Sequence, residues 1–370
     1  MIGSSTKNAF QQIENFKTLH ANQYCFGYFG YDLKNDTEAL SSALPDHVGF
    51  HEFYFFIPEH ILICKNGEVE IISDDTESVY QNILQQKLAT DSTQTQIKFQ
   101  HRTSKEKYLA DVNALQQHIL NGTIYEINYC QEFFANDVEI NPLQVFKKLN
   151  KKNGGSFSAF FKQKNLYAIC GSPERFISKQ SNKIISQPIK GTIKRSYDLL
   201  EDENLKKELL NNEKERAENV MIVDLVRNDL AKSAKTGTVE VPDLFGIYSF
   251  KTVHQMISTI TAEAKENISS LEIIKNAFPM GSMTGAPKYT AMQLIEEYEK
   301  IKRGLYSGSI GYFAPNGDFD FNVVIRTLLY NSAKKYLSYS TGSAITLDAE
   351  AEQEYEECLL KAKALFDFFA

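Results

Sequence analysis

The sequence has few of the features that mark secreted, membrane-spanning or redox-active proteins. Its five cysteines are scattered and form no CxxC pair, so we expect reduced core residues rather than a metal or redox site. No apolar run approaches the roughly 20 residues that a helix needs to span a bilayer, and the first residues lack the pattern of a secretory signal. We therefore expect a soluble cytoplasmic protein with no membrane partner.

A concentration of positive charge is also missing. The net charge is −7, and Lys and Arg are mixed with Asp and Glu, so there is no basic stripe that could hold a phosphate backbone. We do not expect nucleic acid to be a partner. The order GxxxxGK[ST] is absent as well, which argues against a loop for nucleotide phosphates.

The chain does contain 370 residues, 42% of them hydrophobic, which is enough for a sizeable core. Short aromatic and β-branched runs, separated by turn residues, predict strands in the first hundred residues and again after residue 122. Ser104, followed by apolar residues at helical spacing up to Gly122, predicts a capped helix, and residues 199–234 and 349–369 also show helical spacing. The pattern indicates an α+β fold, built on antiparallel sheet with helices packed outside it.

One polar segment interrupts this pattern. Residues 86–108 are the candidate for a linker or long loop. We expect residues 1–100 to form a shortened N-terminal region that completes the sheet, and residues 101–370 to form the domain that carries the functional site.

Two segments of helical pattern each carry a pair of carboxylates three residues apart. Glu215 and Glu218 share one face of the first helix, and Glu354 and Glu357 share one face of the second. Brought together, the four side chains would form an oxygen-rich site for a hard divalent cation such as Mg²⁺. Lys361 follows Glu357 by four residues and could meet an anionic substrate beside the metal. Spacing alone leaves open that these are solvated acids near helix starts.

Lys190 stands in "QPIKGTIKR", between a proline-led turn and a Gly-Thr step. Pro188 stiffens the approach, and Gly191 lets the backbone come close to a ligand. The N–H groups of Gly191 and Thr192, with the Thr192 hydroxyl, could cradle a carboxylate. Burial would disfavour the charged form of the lysine, and a neutral amine is a nucleophile. A surface lysine after a turn is the alternative.

Two further glycine-rich segments are candidates for ligand binding. "FPMGSMTGAPKYTAM" places Ser282 in a turn that leads into a helix and looks like an anion-binding loop. "YSTGSAITLD" would leave backbone N–H groups available around Gly342, Ser343 and Ala344. A tight connection between strands is an equally good interpretation of the second segment.

Three single residues carry potential chemistry. Arg326 lies in the strand pattern "NVVIRTLLY", where a guanidinium needs an anionic partner, either a ligand carboxylate or an internal Asp or Glu. His254 lies in the strand pattern "KTVHQMIST" and is either a core histidine or a catalytic one. Glu174 follows a proline in a turn and could act as a general acid or base in a closed site.

Taken together and in this order, the segments resemble the chorismate-utilising enzymes. The motifs are "SPERF", "PIKGT", "RAENVMIVDLVRNDL", "GSMTGAPK", "YSGSIGYF", "VVIRT" and the closing "EYEEC" helix. The resemblance covers about residues 101–370, which would then be a chorismate-binding catalytic domain. It implies the fold of the family, in which large antiparallel β-sheets pack as a sandwich with helices on the outside.

The resemblance also implies how the substrate is held. Mg²⁺ would be bound by Glu218 and Glu357, with Glu215 and Glu354 acting through waters. The enolpyruvyl carboxylate of chorismate would be bound by side-chain and backbone donors. Lys361 would provide a further contact to an anionic group of the substrate. The expected carboxylate-binding residues are Arg326, Tyr306, Gly342, Ser343 and Ala344.

At the reacting end, the resemblance implies that Lys190 attacks C2 of chorismate while the C4 hydroxyl leaves with a proton from Glu174. His254, Thr192 and Ser282 would line the side of the leaving group. Ammonia then adds at C4 and expels the lysine, which gives 4-amino-4-deoxychorismate.

The position of Lys190 separates branches of the family. Anthranilate-forming members usually carry alanine there, whereas lysine is typical of the aminodeoxychorismate branch with a covalent mechanism. Glu126 departs from the glutamine that is usual in the amine-transferring branches. Nothing in the chain resembles a glutaminase, so the resemblance implies a glutamine amidotransferase subunit as the partner that supplies ammonia. The alternatives are an anthranilate-forming enzyme and a non-catalytic chorismate-binding subunit.

Overall fold

Alternating apolar residues build two large antiparallel sheets. The computed structural model describes residues 2–3, 8–86, 96–367 and 369. The strands are β1 (Cys25–Phe29), β2 (Phe53–Phe56), β3 (Ile61–Lys65), β4 (Glu68–Ile72), β5 (Gln100–His101), β6 (Glu126–Ala135), β7 (Ala159–Gln163), β8 (Leu166–Cys170), β9 (Arg175–Gln180), β10 (Lys183–Gln187), β11 (Ile189–Lys194), β12 (Glu240–Ser249), β13 (Val253–Glu263), β14 (Gly285–Ala286), β15 (Ser309–Phe313), β16 (Phe319–Asn322), β17 (Thr327–Asn331) and β18 (Tyr336–Ile345).

The larger sheet has the order β11-β13-β10-β9-β16-β15-β1-β2, with β12 also paired to β13. The smaller sheet has the order β14-β6-β18-β17-β8-β7, with β5 also paired to β6, and β3 and β4 form a separate hairpin. β15 and β16 form a hairpin whose turn contains the "PNG" of residues 315–317. Its second strand ends at Asn322, and the chain then crosses to the smaller sheet as β17.

The two sheets share an apolar core. Phe134 and Ala168 of the smaller sheet belong to the same buried cluster as Ile177 and Phe321 of the larger sheet. β1 pairs with β15, so strands from the first hundred residues extend the larger sheet. The predicted α+β sandwich of antiparallel sheets is confirmed. The division at residue 100 stays a prediction, and residues 87–95 of the predicted linker lie outside the described residues.

Helices cover the sheets and bring the two carboxylate pairs toward one end of the fold. They are α1 (Ala9–Leu19), α2 (Lys34–Thr37), α3 (Thr76–Gln85), α4 (Lys105–Leu120), α5 (Pro142–Asn153), α6 (Leu199–Asn211), α7 (Glu213–Ala231), α8 (Ser270–Ala277), α9 (Lys288–Tyr298) and α10 (Ala351–Phe366). Two 3₁₀ turns, Tyr31–Leu33 and Gly281–Met283, complete the set.

The two helices that carry the predicted carboxylate pairs pack against strands that line the cavity. α7 lies on β11 and β13, and α10 lies on β18 and α4. Ser104 caps α4 as predicted, because its hydroxyl accepts the N–H of Lys107 at 3.3 Å. Among the helices in the described ranges, none has the length and apolar character required to cross a membrane.

Candidate active site

A cavity of about 650 Å³ opens where β11, β18, α7 and α10 meet. Its wall contains every site residue predicted from the sequence except His254. The residues brought together are Glu174, Lys190, Gly191, Thr192, Glu215, Glu218, Ser282, Tyr306, Arg326, Gly342, Ser343, Ala344, Glu354, Glu357 and Lys361. Segments far apart in the chain thus supply acids, bases and hydroxyl groups to one space of the size of a small-molecule site.

Lys190 lies on β11 and points into this cavity. Its Nζ is 3.0 Å from Oε1 of Glu126 and 3.5 Å from Oε2 of Glu218, and its side chain is 11% exposed. Burial opposes the charge of Lys190, but the Glu126 and Glu218 carboxylates outweigh it and raise the pKa above its usual range. The two carboxylates therefore favour the ammonium form of Lys190, which is opposite to the effect expected from burial alone.

Glu126, the residue that departs from the family pattern, is the closer of these partners. It begins β6 and is almost fully buried. One carboxylate oxygen accepts from Lys190, and the other is buried without a hydrogen-bond partner in the described part of the chain. The glutamate at this position therefore acts here as the counter-ion of Lys190.

The two carboxylates on α10 are also paired with lysines. Lys214 Nζ is 3.1 Å from Oε1 of Glu354, whose other oxygen accepts from the Ser343 hydroxyl. Lys361 Nζ is 2.5 Å from Oε1 of Glu357 and also donates to the Gly342 carbonyl at 2.9 Å. Lys361 therefore contacts a carboxylate of the predicted metal site directly, and its contact with an anionic substrate stays a prediction.

The predicted metal ligands fit Mg²⁺ in chemical kind, since they are four carboxylates on one cavity wall. Burial raises the pKa of Glu218 to about 7 although Lys190 opposes this shift, and burial with the nearby Glu357 also raises the pKa of Glu215. Within the described ranges, no three acidic, His or Cys side chains converge closely enough to hold a metal as they stand. The assignment of Mg²⁺ to this site therefore remains a proposal.

Glu174 lies just before β9 and is buried with 5% of its surface exposed. The Ser282 hydroxyl donates to its Oε1 at 2.7 Å. Burial raises the pKa of Glu174 to about 7, and the Ser282 hydrogen bond and the charge of Lys190 oppose that shift only in part. A carboxyl group with this pKa can be protonated near neutral pH, which a general acid requires.

Two of the predicted local conformations differ in the structure. Arg326 lies between β16 and β17 with φ 53°, and not within a continuous strand as predicted, and its half-buried side chain faces the cavity. No hydrogen bond or ion pair ties its guanidinium to another described residue, so it is available to a ligand. Gly342, Ser343 and Ala344 lie inside β18 and pair with β6, rather than in a turn.

His254 is not part of the cavity wall, so its contacts in this structure do not support the predicted catalytic role, which stays a prediction. Its Nε2 is 2.9 Å from Oδ1 of Asp202 on α6, and its Nδ1 is 2.9 Å from the Ser249 hydroxyl. Side chains alternate between the two faces of a strand. On β13 that alternation turns His254 toward α6 and places its neighbours Val253 and Gln255 on the cavity wall.

Gln255 and Lys214 are cavity residues that the motifs did not indicate. Because side chains alternate along a strand, His254 and Gln255 must lie on opposite faces of β13. Only the pairing of β13 with β11 shows which face meets the cavity. Lys214 precedes Glu215 on α7, and its contact with Glu354 depends on how α7 and α10 approach each other. The sequence alone predicts neither the cavity-facing side of β13 nor the approach of α7 to α10.

Comparison with known families identifies the class of protein. A family model described as "chorismate binding enzyme" matches residues 3–367. The chain therefore belongs to the chorismate-binding enzymes. The match also extends the resemblance from residues 101–370 to nearly the whole chain.

Two curated relatives are similar over most of this chain. A rice protein named "Probable aminodeoxychorismate synthase, chloroplastic" is 36% identical over 383 residues, which cover 91% of this chain and 42% of that protein. "Aminodeoxychorismate synthase component 1" of Salmonella typhimurium is 35% identical over 348 residues, which cover 92% of this chain and 75% of that protein. The chain thus spans less than half the length of the rice relative.

A solved structure shows the same fold. Anthranilate synthase component I from Streptococcus pneumoniae superimposes with a TM-score of 0.84 at 27% identity, over 92% of this chain and 80% of that chain. The relatives therefore include two kinds of chorismate enzyme, and the choice between them depends on the residues of the cavity.

Proposed function

We propose that the chain acts as component I of an aminodeoxychorismate synthase, which converts chorismate and ammonia to 4-amino-4-deoxychorismate. The observation that carries this proposal is the position of the Lys190 amine. It lies inside the cavity, 11% exposed, on the same wall as the buried acid Glu174. A lysine here is typical of the aminodeoxychorismate branch, and the names of the rice and Salmonella relatives support the same branch.

The proposed reaction has two displacements. Lys190 Nζ forms a bond to C2 of chorismate, the ring double bonds shift, and the C4–O bond breaks while Glu174 gives its proton to the leaving oxygen, which departs as water. Ammonia then forms a bond to C4, the double bonds shift back, and the C2–N bond to Lys190 breaks with its electron pair returning to Nζ. The added nitrogen then loses one proton to the Glu174 carboxylate, which regenerates the acid. The sum is exchange of the C4 hydroxyl for an amine.

Both side chains must start in the correct protonation state. The Lys190 ammonium must lose a proton before it attacks, and Oε1 of Glu126, at 3.0 Å, is the nearer of its two carboxylate partners. Glu174 must enter protonated, and its pKa of about 7 makes this form available near neutral pH. Residues of the chain itself therefore perform both proton transfers, from Lys190 to Glu126 and from Glu174 to the leaving oxygen.

The remaining residues of the wall would bind and orient the substrate. Arg326 has a guanidinium free of described partners and would hold a carboxylate in bidentate fashion. Tyr306, Thr192 and Ser282 add hydroxyl groups to the same cavity. Mg²⁺, held by Glu218 and Glu357 with Glu215 and Glu354 nearby, would supply positive charge for the other carboxylate.

We further propose that a glutamine amidotransferase subunit supplies the ammonia. The word "component" in the name of the Salmonella relative supports a multi-subunit enzyme. The purified chain should then use ammonium salts but not glutamine, and adding a glutamine amidotransferase should confer glutamine-dependent turnover. Glutamine-dependent turnover by the chain alone would contradict this proposal.

The product decides between the two enzyme classes. Incubation of the purified chain with chorismate, Mg²⁺ and ammonium should yield 4-amino-4-deoxychorismate, identified by chromatography and mass spectrometry. The likeness to the Streptococcus pneumoniae structure favours anthranilate as the alternative product. Anthranilate is fluorescent, and its appearance as the main product would overturn the proposal. Absence of any turnover would instead support a non-catalytic chorismate-binding subunit.

A further inference from the structure

Gln255 is a buried residue of the cavity wall that has no role in the reaction proposed above. It lies on β13, and 6% of its surface is exposed. Its Nε2 is 3.5 Å from the Thr192 hydroxyl, at the long limit of a hydrogen bond. Its Oε1 is buried and accepts no hydrogen bond from any residue that the structure describes.

The position of this amide is fixed by the sheet. Gln255 is paired with Thr192 across β13 and β11, so both side chains project from the same face into the cavity. His254 projects from the opposite face and is held by Asp202 and Ser249. A buried amide oxygen without a donor is uncommon in folded proteins, because it has lost its bonds to water and gained none. A donor from a bound ligand would satisfy it.

The proposed reactants contain few groups that can donate. Chorismate as a dianion has two carboxylates, which only accept, and one O–H donor at C4. Ammonia has N–H donors. Only two groups of the reactants, the C4 hydroxyl of chorismate and the N–H groups of ammonia, can therefore donate to a free acceptor of this cavity wall. Both groups react at C4.

We propose that Oε1 of Gln255 accepts a hydrogen bond from the group that leaves or enters at C4, either the hydroxyl of chorismate or the N–H of ammonia. This inference rests on the function proposed above. Gln255 is thereby a substrate-binding residue that orients one reactant, and it does not exchange a proton with it.

The test compares Gln255→Leu with Gln131→Leu, a matched substitution of an equally buried glutamine on β6 that is outside the cavity wall. Titration calorimetry with chorismate alone measures binding without turnover. Steady-state assays measure KM for ammonium at saturating chorismate. Loss of one neutral hydrogen bond weakens binding by about fivefold to tenfold.

We expect Gln255→Leu to weaken one of the two quantities by about that factor and Gln131→Leu to change neither. A higher Kd for chorismate would assign the bond to the C4 hydroxyl, and a higher KM for ammonium alone would assign it to ammonia. If both quantities are unchanged in Gln255→Leu, or change equally in Gln131→Leu, the inference is overturned.

Two features keep this test decisive. Should Gln255→Leu fail to fold by circular dichroism, Gln255→Met keeps the side-chain length without the amide and is read in the same way. If the wild-type chain binds chorismate but forms no aminated product, the proposed function has failed. The Kd of Gln255→Leu for chorismate then still decides whether Gln255 meets the hydroxyl.

Discussion

Glu174 and Lys190 face the same cavity, and burial has opposite consequences for their charge. Glu174 has one hydroxyl donor, so burial dominates and raises its pKa to about 7. Lys190 has two carboxylates within 3.5 Å, and they outweigh burial and stabilise its ammonium. The site thus combines an acid that can be protonated near neutral pH with an amine whose charged form is stabilised. The sequence indicated the identity of both residues, but the charge of Lys190 depends on Glu126 and Glu218, which only the fold brings to it.

Glu174→Gln should change how stability depends on pH. A carboxyl whose pKa is raised by folding stabilises the native state below its unfolded pKa of about 4.5, and this contribution is lost as pH rises through about 7. The free energy of unfolding of Glu174→Gln, relative to wild type, should therefore rise by on the order of 3 kcal/mol between pH 4.5 and pH 9. Urea denaturation at both values measures the difference.

The matched control is Glu297→Gln, an exposed glutamate on α9 that should give the same difference from wild type at both pH values. A Glu174→Gln variant that behaves like this control would show that Glu174 is ionised at neutral pH and cannot serve as the acid. Activity provides a second readout, because loss of a general acid typically lowers kcat by about 100-fold or more.

At the scale of elements, β13 separates a structural side from a functional side. His254 on one face joins β13 to α6 through Asp202, and Gln255 on the other face lines the cavity. The strand itself could be predicted from its β-branched residues. The face of β13 that meets the cavity could not be predicted. Alternation of side chains separates the two faces of a strand but does not show which of them faces the cavity, and the register with β11 depends on contacts distant in the sequence.

His254→Leu should therefore impair stability rather than chemistry. The substitution removes two buried hydrogen bonds and leaves Asp202 with Arg195. We expect the free energy of unfolding to fall by about 1–3 kcal/mol. The kcat of the folded enzyme should change by less than about threefold, measured below the unfolding transition. A loss of kcat of about 100-fold at unchanged stability would instead support a catalytic role for His254.

The helices α7 and α10 together supply the four carboxylates of the proposed magnesium site. Removing Mg²⁺ with EDTA should abolish turnover, and excess Mg²⁺ should restore it. Glu357→Gln should raise the Mg²⁺ concentration needed for half-maximal activity by about tenfold or more. Glu356→Gln, one residue earlier on α10 and paired only with exposed Lys105 among the described contacts, should leave it unchanged. Full activity in EDTA would contradict the metal assignment.

For the whole molecule, the overall class of fold followed from periodicity, because strand and helix patterns are local properties of the chain. The sandwich arrangement followed from the ordered motifs, and so did 15 of the 28 residues on the cavity wall. Arg326 is the instructive exception. Its neighbours predicted a continuous strand, yet the chain must leave one sheet and join the other between Asn322 and Thr327. A crossing of this kind is set by the packing of the two sheets and has no local signal.

The proposed covalent bond between Lys190 and the substrate can be detected by intact-protein mass spectrometry. Wild-type protein incubated with chorismate and Mg²⁺ without ammonium, then quenched in acid, should gain the mass of chorismate less one water. Lys190→Arg keeps the positive charge beside Glu126 and Glu218 but removes the nucleophile, so it should show no gain. A covalent role for Lys190 is contradicted if wild-type protein turns over with ammonium yet never shows the adduct, or if Lys190→Arg shows the same adduct.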